Sequence, residues 1–446
     1  MRININHPEL FATVFQSVTG EKLYRPITGI CTDSRLIKNG DLFIAISGSK
    51  ADGHSFLNRI ESKGALAALV RKVDKNCKIQ QIKTSDTINE LAKISTQWRN
   101  RFNIPIVGIT GSNGKTSTKE LLVHILSGKF KVHATEGNHN TKLGLSLTLL
   151  KLEPHHEISI LEMGASIPNE IDNLCKIARP THGLITNIST AHLEGFGSLE
   201  NIAHEKGALF RHLTDGISFV NMADKMVSKI PFSGQKITFG LSPDCDFPAD
   251  ICHDDDGTLT LVLETNIIPT NSFNLSFLKN CIASSAISIT LGVDWNKLKE
   301  KLQSFSAPNG RCNVKQINNI TVIDDTYNAN LASSLAALDY LYAFSGKGRK
   351  IFVFGDMLEL GDSAKKQHQQ VGKKCSELGL DGVFTLGIHT KHTNSTIGNG
   401  MIKRHYKTRD NLIQDLRNHI VSGDKILFKG SRGMQMESII HGVFEN

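Results

Sequence analysis

The segment Gly111-Ser-Asn-Gly-Lys-Thr-Ser117 orders glycine, lysine and hydroxyl residues in a way that suits phosphate chemistry. It follows the apolar run Ile104-Pro-Ile-Val-Gly-Ile-Thr110 and opens a predicted helix at Lys115. In that strand-to-helix setting, backbone N–H groups surround phosphate oxygens at a helix N-terminus. Lys115 would reach the transferred phosphate, and the Thr116 hydroxyl would hold Mg²⁺. The spacing departs from the strict G-x-x-x-x-G-K-[ST] pattern, because Ile109 stands five positions before Gly114 and the nearest glycine is Gly108. A lone G-x-x-G turn more often binds nothing. The Lys-Thr pair and both flanking elements favour a variant nucleotide clamp.

Three further residues could join it. Glu162 ends the predicted strand Ile158–Glu162, and His192 follows the predicted strand Gly183–Ile188. Ligands of open α/β sheets bind beyond the carboxyl ends of the strands. Carboxylate oxygen suits Mg²⁺, and imidazole is a less usual ligand for it. The third is Lys206, within a predicted helix 199–213 whose apolar stripe runs Leu199, Ile202, Ala203, Lys206, Leu209, Phe210, Leu213. Burial lowers a lysine pKa, and the neutral amine reacts with CO₂ to give a carbamate, an anionic oxygen ligand for a second Mg²⁺. On the residues alone, plainer readings stay open. His192 reads as a loop or core histidine, Glu162 as a cap or solvated charge, and Lys206 as a lysine whose stem packs while its head reaches water.

The elements that must position these residues fall into three groups. At 446 residues the chain exceeds the roughly 250–300 residues at which single cores stop growing. Residues 20–71 read as short strands and turns, with Asp33-Ser34-Arg35, Asn39-Gly40-Asp41 and Ala51-Asp52-Gly53-His54 punctuating runs such as Leu42–Ile46. From Ile104, short apolar strands alternate with helices, the pattern of a parallel sheet covered on both faces. A breaker cluster, Ser306-Ala-Pro-Asn-Gly310, precedes four more strands at Ile320–Asp324, Lys350–Phe354, Gly382–Leu386 and Lys425–Lys429. The expected domains are 1–98, 99–306 and 307–446, an α/β protein throughout.

Composition excludes several classes. Hydrophobic residues at 39% and charged residues at 21%, with no low-complexity tract or repeat, describe a folded chain. The start, Met-Arg-Ile-Asn-Ile-Asn-His-Pro, lacks a basic head and apolar h-region, and nowhere do about 18 uncharged apolar residues run together, so cytosolic residence without membrane insertion is expected. Eight cysteines with no C-x-x-C pair read as reduced thiols. The net charge of +8 comes with no Lys/Arg run of five and only 6% aromatics, which argues against a nucleic-acid groove.

The order Thr110-Gly-Ser-Asn-Gly-Lys-Thr116, Glu136-Gly-Asn-His-Asn140, Leu161-Glu-Met-Gly164, Ala191-His-Leu-Glu194 and Lys206-Gly207 resembles the Mur ligase family over essentially the whole chain. Within it, Thr32-Asp-Ser-Arg35, Gly40-Asp-Leu-Phe43, Asp52-Gly-His54, Asp324-Asp-Thr-Tyr-Asn-Ala-Asn330, Gly355-Asp-Met-Leu-Glu-Leu-Gly361 and Lys429-Gly-Ser-Arg-Gly-Met434 look like the member that adds D-Ala-D-Ala to UDP-N-acetylmuramoyl-tripeptide.

The resemblance implies a small UDP-binding α/β domain using Ser34 and Arg35, a central P-loop ATPase domain and a Rossmann-like C-terminal domain that closes over the nucleotide. It implies ATP bound by Gly111, Ser112, Asn113, Gly114, Lys115, Thr116 and Ser117. Asn280, Arg311 and Asp325 would be adenine, phosphate and ribose contacts. Thr116, Glu162, His192 and a carbamylated Lys206 would surround two Mg²⁺ ions, with Lys115, Glu162, His192 and Lys206 as the catalytic set. Asn138 and Asn140 would face the acyl-accepting centre, Asn328 and Asn330 the incoming dipeptide, and the protein would act as a monomer. Leu331 stands where proline is usual and Lys279 where histidine is common, which questions local rigidity and the adenine contacts. Another Mur ligase, a folate polyglutamate ligase, or a P-loop NTPase switch acting with nucleic acid remain as alternatives.

Overall fold

The computed structural model describes residues 1–48, 51–190, 193–254, 258–344 and 346–445. Among these, three sheets of mostly parallel strands form in succession along the chain. The first orders Arg2–Asn4, Gly29–Cys31, Asp41–Ile44, Ala67–Val70 and Gln80–Lys83, parallel except for its first pair. The last orders Asn313–Ile317, Ile320–Asp325, Lys425–Lys429, Lys350–Gly355, Gly382–Leu386 and Ile402–Tyr406, again with one antiparallel pair at its start.

The middle sheet positions the site. Its spatial order is Asn266–Ser272, Leu259–Leu263, Phe247–His253, Gln235–Gly240, Ile217–Asn221, His182–Ile185, Ile106–Thr110, Ile158–Glu162 and Val132–Ala134. The strand Ile106–Thr110 is buried at every position and lies between His182–Ile185 and Ile158–Glu162, parallel to both. A strand with both faces covered reads as a continuous apolar run, and Ile106-Val-Gly-Ile is one. All three strands end on the same edge, so whatever follows them meets there. The strand predicted to reach Ile188 stops at Ile185.

The first two sheets share a core. Phe11, Phe15, Leu91 and Trp98 of the first part pack in one cluster with Leu145, Leu149, Ile171 and Leu209 of the second. The helix Thr87–Arg99 carries the junction: the Trp98 indole N–H donates to Leu152 O at 3.1 Å, and Arg99 Nε to Ala178 O at 2.8 Å. An expected break at residue 98 therefore falls inside a packed helix. The last sheet is clothed by its own two clusters, one around Phe352, Phe354 and Leu338, the other around Phe384, Phe428 and Leu412.

Candidate active site

The helix Lys115–Leu126 begins without a side-chain cap, because its N-cap is Gly114 in the left-handed conformation (φ 81°). Helices at Thr87, Leu199, Leu275 and Trp295 each have an Asp, Ser or Asn whose side chain accepts from the first turn. The first-turn N–H groups of Lys115–Leu126 are not spent that way, and with the helix dipole they form an anion-binding end. Ser117 sits in that first turn. Earlier loop amides are otherwise engaged: Ser112 N donates to Asn187 O at 2.9 Å and Asn113 N to Asn187 Oδ1 at 3.1 Å. The clamp is thus the helix end itself, with Gly111–Asn113 tied down beside it.

That tie is dense. Ser112 Oγ donates to Ser189 O at 2.9 Å, Asn113 Nδ2 to Ser189 Oγ at 2.9 Å, and Thr186 Oγ1 to Asn113 O at 2.6 Å. Thr186, Asn187 and Ser189, which follow the strand His182–Ile185, escaped the sequence reading. Their signal was only a run of polar residues after a strand.

Lys115 curls over the loop, donating to Gly111 O at 2.7 Å. Burial lowers its pKa, Glu162 opposes that shift and Arg311 adds to it, so all three charges share one space. Glu162 is 2% exposed. Its Oε1 accepts from Asn140 Nδ2 at 2.8 Å, whereas Oε2 is buried without a partner. A buried carboxylate oxygen left unpaired is costly, and a hard cation beside it would remove the cost. Among the described residues no group of three or more His, Cys, Asp and Glu could hold a metal ion. The donors on hand are Glu162 Oε2 and the Thr116 hydroxyl, which together with phosphate oxygens suit Mg²⁺. His192 lies outside the described residues.

Lys206 sits on the helix Leu199–Arg211 at 2% exposure, on the core-facing stripe. Burial first, and the Lys115 ammonium second, push its pKa down to about 7. Its amine is therefore available in the neutral, nucleophilic form at ordinary pH. The neighbouring Glu205 accepts from Asn169 N and Ile171 N, both at 2.7 Å, and anchors the helix to the segment after Glu162.

Another buried lysine was missed. Lys119 lies one turn beyond Lys115, is 1% exposed, and donates from Nζ to Thr135 O at 2.7 Å while pairing with Glu120 at 2.7 Å. The Thr135 hydroxyl accepts from Glu162 N at 3.1 Å. Lys119 thereby braces the clamp helix against the strand end that bears Glu162. The i, i+4 spacing of Lys115 and Lys119 was the available signal.

The third sheet reaches this edge. Arg311 Nη2 donates to Thr116 Oγ1 at 3.1 Å, and Asn330 Nδ2 to Asn113 Oδ1 at 2.7 Å. The Arg311 guanidinium lies 3.9 Å from the Tyr327 ring centroid, a cation–π contact that holds it in place. Asp325 is paired with the buried Lys429, which also donates to Asn328 O at 3.0 Å. Asn280 projects from the helix Leu275–Thr290 against the loop, since a Cβ on Gly114 would fall 2.9 Å from Asn280 Oδ1. Lys279 beside it is exposed.

Asn330 caps the helix Leu331–Ala343 through a reciprocal capping box with Ser333, so that helix start is held without a proline at Leu331. Asn138 and Asn328 are exposed. Ser34 and Arg35 stand apart, on the loop after Gly29–Cys31. Arg35 is bound to Asp33 at 2.7 Å, Lys63 caps the carbonyls of both residues, and none of these bonds reaches the phosphate loop.

Comparison with known proteins matches this chain in three stretches: residues 26–99 to the model of the Mur ligase family catalytic domain, 109–287 to the Mur ligase middle domain, and 310–432 to the Mur ligase glutamate ligase domain. A relative from Synechocystis sp., named UDP-N-acetylmuramoyl-tripeptide--D-alanyl-D-alanine ligase, is 35% identical over 422 residues, 93% of this chain and 91% of the relative. A crystal structure of MurF from Acinetobacter baumannii superposes with TM-score 0.88 at 30% identity, covering 98% of each chain. MurF ligase from Thermotoga maritima in complex with ADP gives 0.83 at 30% identity, covering 93% of this chain and 96% of that one.

Proposed function

Because the chain belongs to the Mur ligase family, we infer that the site performs ATP-dependent amide ligation, joining D-Ala-D-Ala to UDP-N-acetylmuramoyl-tripeptide in peptidoglycan precursor synthesis. The observation that carries this is the convergence of Lys115, Glu162 and Lys206 at an uncapped helix end that Arg311 and Asn330 reach from the third sheet.

The chemistry begins with two anions. The tripeptide carboxylate must approach the γ-phosphate, and their repulsion has to be neutralised before the nucleophile comes near. Lys115, the Arg311 guanidinium and the open amides of Gly114–Ser117 supply that positive field. When bound, Mg²⁺ would neutralise phosphate oxygens further. Thr116, Glu162, His192 and Lys206 as its carbamate are the groups proposed to hold two such ions. Carbamate formation joins the neutral Lys206 amine to CO₂ with loss of one proton. The carboxylate takes the γ-phosphoryl group as the bond to ADP breaks and ADP leaves; the deprotonated amine of the dipeptide then attacks the acyl phosphate, and inorganic phosphate leaves.

Water would hydrolyse that intermediate, so the site must be dry at that moment. The contacts of Arg311 and Asn330 with the loop are those by which a closing third domain would seal it. On this reading the chain divides into units near 1–98, 99–306 and 307–446. Ser34 and Arg35 take the uridine nucleotide, Asn280 and Asp325 the adenosine, Asn138 and Asn140 the acyl centre, and Asn328 and Asn330 the dipeptide. No helix among the described residues is long and apolar enough to cross a membrane. We place the protein in the cytoplasm as a monomer.

Phosphate release from ATP, measured with UDP-tripeptide and with or without D-Ala-D-Ala, tests the reading. Release should require both acceptor substrates, and Lys115→Ala should abolish it while UDP-tripeptide binding stays measurable. Near-normal turnover of Lys115→Ala, or release driven by RNA or DNA and indifferent to the dipeptide, would sink it.

A further inference from the structure

The incoming dipeptide brings a carboxylate as well as the reacting amine, and the residues assigned to it, Asn328 and Asn330, are neutral. A carboxylate drawn into a closing cleft is costly unless paired. Most cations nearby are committed: Lys115 to Gly111 O, Arg311 to Thr116, and Lys429 to Asp325 and Asn328 O. Arg432 is placed differently. Its side chain is 60% exposed, its backbone N–H donates to Asn328 Oδ1 at 3.3 Å, and its guanidinium lies 5.8 Å from the Tyr327 ring that also carries Arg311. Glu437 takes Nη1 at 2.8 Å, which restrains the long side chain yet leaves the remaining guanidinium N–H groups for a second anion.

We propose that Arg432 is a specificity-determining residue that grips the C-terminal carboxylate of the incoming dipeptide. This rests on the ligase reading above. The planar guanidinium matches a carboxylate with paired donors, which a lysine ammonium does not. Asn328 Nδ2 has no acceptor among the described residues and stands beside it as a further donor.

Arg432 meets one end of the short segment 328–330 through Asn328, and the side chain at its other end, Asn330, touches Asn113 of the phosphate loop at 2.7 Å, so a carboxylate held at Arg432 leaves the amine end of the dipeptide for the phosphate side. Arg432 sets which end of the substrate enters. Tyr327, stacked by Arg311 on the nucleotide side and flanked by Arg432 on the dipeptide side, joins the two subsites through one ring.

The test compares D-Ala-D-Ala with its C-terminal amide as acceptors for the full-length protein with ATP and UDP-tripeptide. The unsubstituted protein should prefer the acid by roughly 10- to 100-fold in kcat/KM, the loss expected for removing a charge-assisted pair. Arg432→Gln should raise KM for the acid by a similar factor, with a smaller change in kcat, and use acid and amide alike. Arg432→Lys keeps the charge without the fork and should retain preference for the acid at a raised KM. Trapping the acyl phosphate with hydroxylamine in the unsubstituted protein, without dipeptide, reports on the ligase reading separately. Equal use of acid and amide by the unsubstituted protein overturns the assignment, as does an intact acid preference in Arg432→Gln. If that variant does not fold, Arg432→Lys decides, and an unchanged KM for the acid there overturns it.

Discussion

Gly111→Ala makes a quantitative test of the phosphate loop. Gly111 has φ 145°, and an added Cβ would lie 1.9 Å from Thr186 Oγ1 and 3.1 Å from both Thr186 Cβ and N. That backbone region is essentially reserved for glycine, and a non-glycine residue there costs about 1–3 kcal/mol. Ordinary contact begins at 3.4 Å, so Thr186 Oγ1 must move by 1.5 Å, and the 3.1 Å contacts with Thr186 Cβ and N, which side-chain rotation does not relieve, press the loop and Thr186 apart. The movement pulls the Thr186 hydroxyl from Asn113 O at 2.6 Å, about another 1 kcal/mol. The total, about 2–4 kcal/mol, is borne by the loop that positions ATP, and misplacing reacting groups by about 1 Å costs about 100-fold in rate. Steady-state assays with varied ATP should show kcat/KM down by at least about 100-fold, along with a lowered Tm. The double variant Gly111→Ala/Thr186→Ala removes the 1.9 Å clash but not the 3.1 Å contacts, so it should recover about tenfold, a non-additive cycle. Full activity and unchanged Tm in Gly111→Ala would refute this account of the loop.

Two further substitutions address the buried lysines. Lys206→Ala should lose most ligation and regain part of it with added formate or acetate, small carboxylates that stand in for the carbamate; no rescue at any concentration would count against carbamylation. Lys119→Met keeps the volume but leaves Thr135 O without its donor. It should lower stability by about 1–3 kcal/mol in thermal or denaturant unfolding and depress kcat through Glu162; unchanged stability and kcat would show that Lys119 does not brace the strand end.

The parts of the site that were legible in the sequence are those set by neighbours along the chain. Gly111–Ser117 is a strand, a turn and a helix in one stretch, and Lys206 announced itself by interrupting an apolar stripe. Where pairing is set by a turn without the usual residues, legibility failed. Leu259–Leu263 pairs with Asn266–Ser272 across Glu264 and Thr265, with Glu264 at φ 52°. Hairpins of this kind are normally signalled by Asn-Gly or Asp-Gly, and the antiparallel extension of the middle sheet went unread.

The contacts that complete the site lie beyond any local pattern. Asn113 and Asn330 are 217 residues apart, and Thr116 and Arg311 are 195 apart. Nothing in either segment's periodicity names the other. Asn330 shows how such a residue can mislead: with Leu331 after it in place of proline, the helix start looks weakly specified. In the fold the same side chain accepts from Ser333 N through Oδ1 and donates to Asn113 through Nδ2. An amide offers an acceptor and donors on one group, so one residue both starts the helix and touches the phosphate loop. An aspartate at position 330 would retain the cap but lose the donor. The choice of asparagine there is therefore explained by the contact with the loop, and the helix alone does not require it.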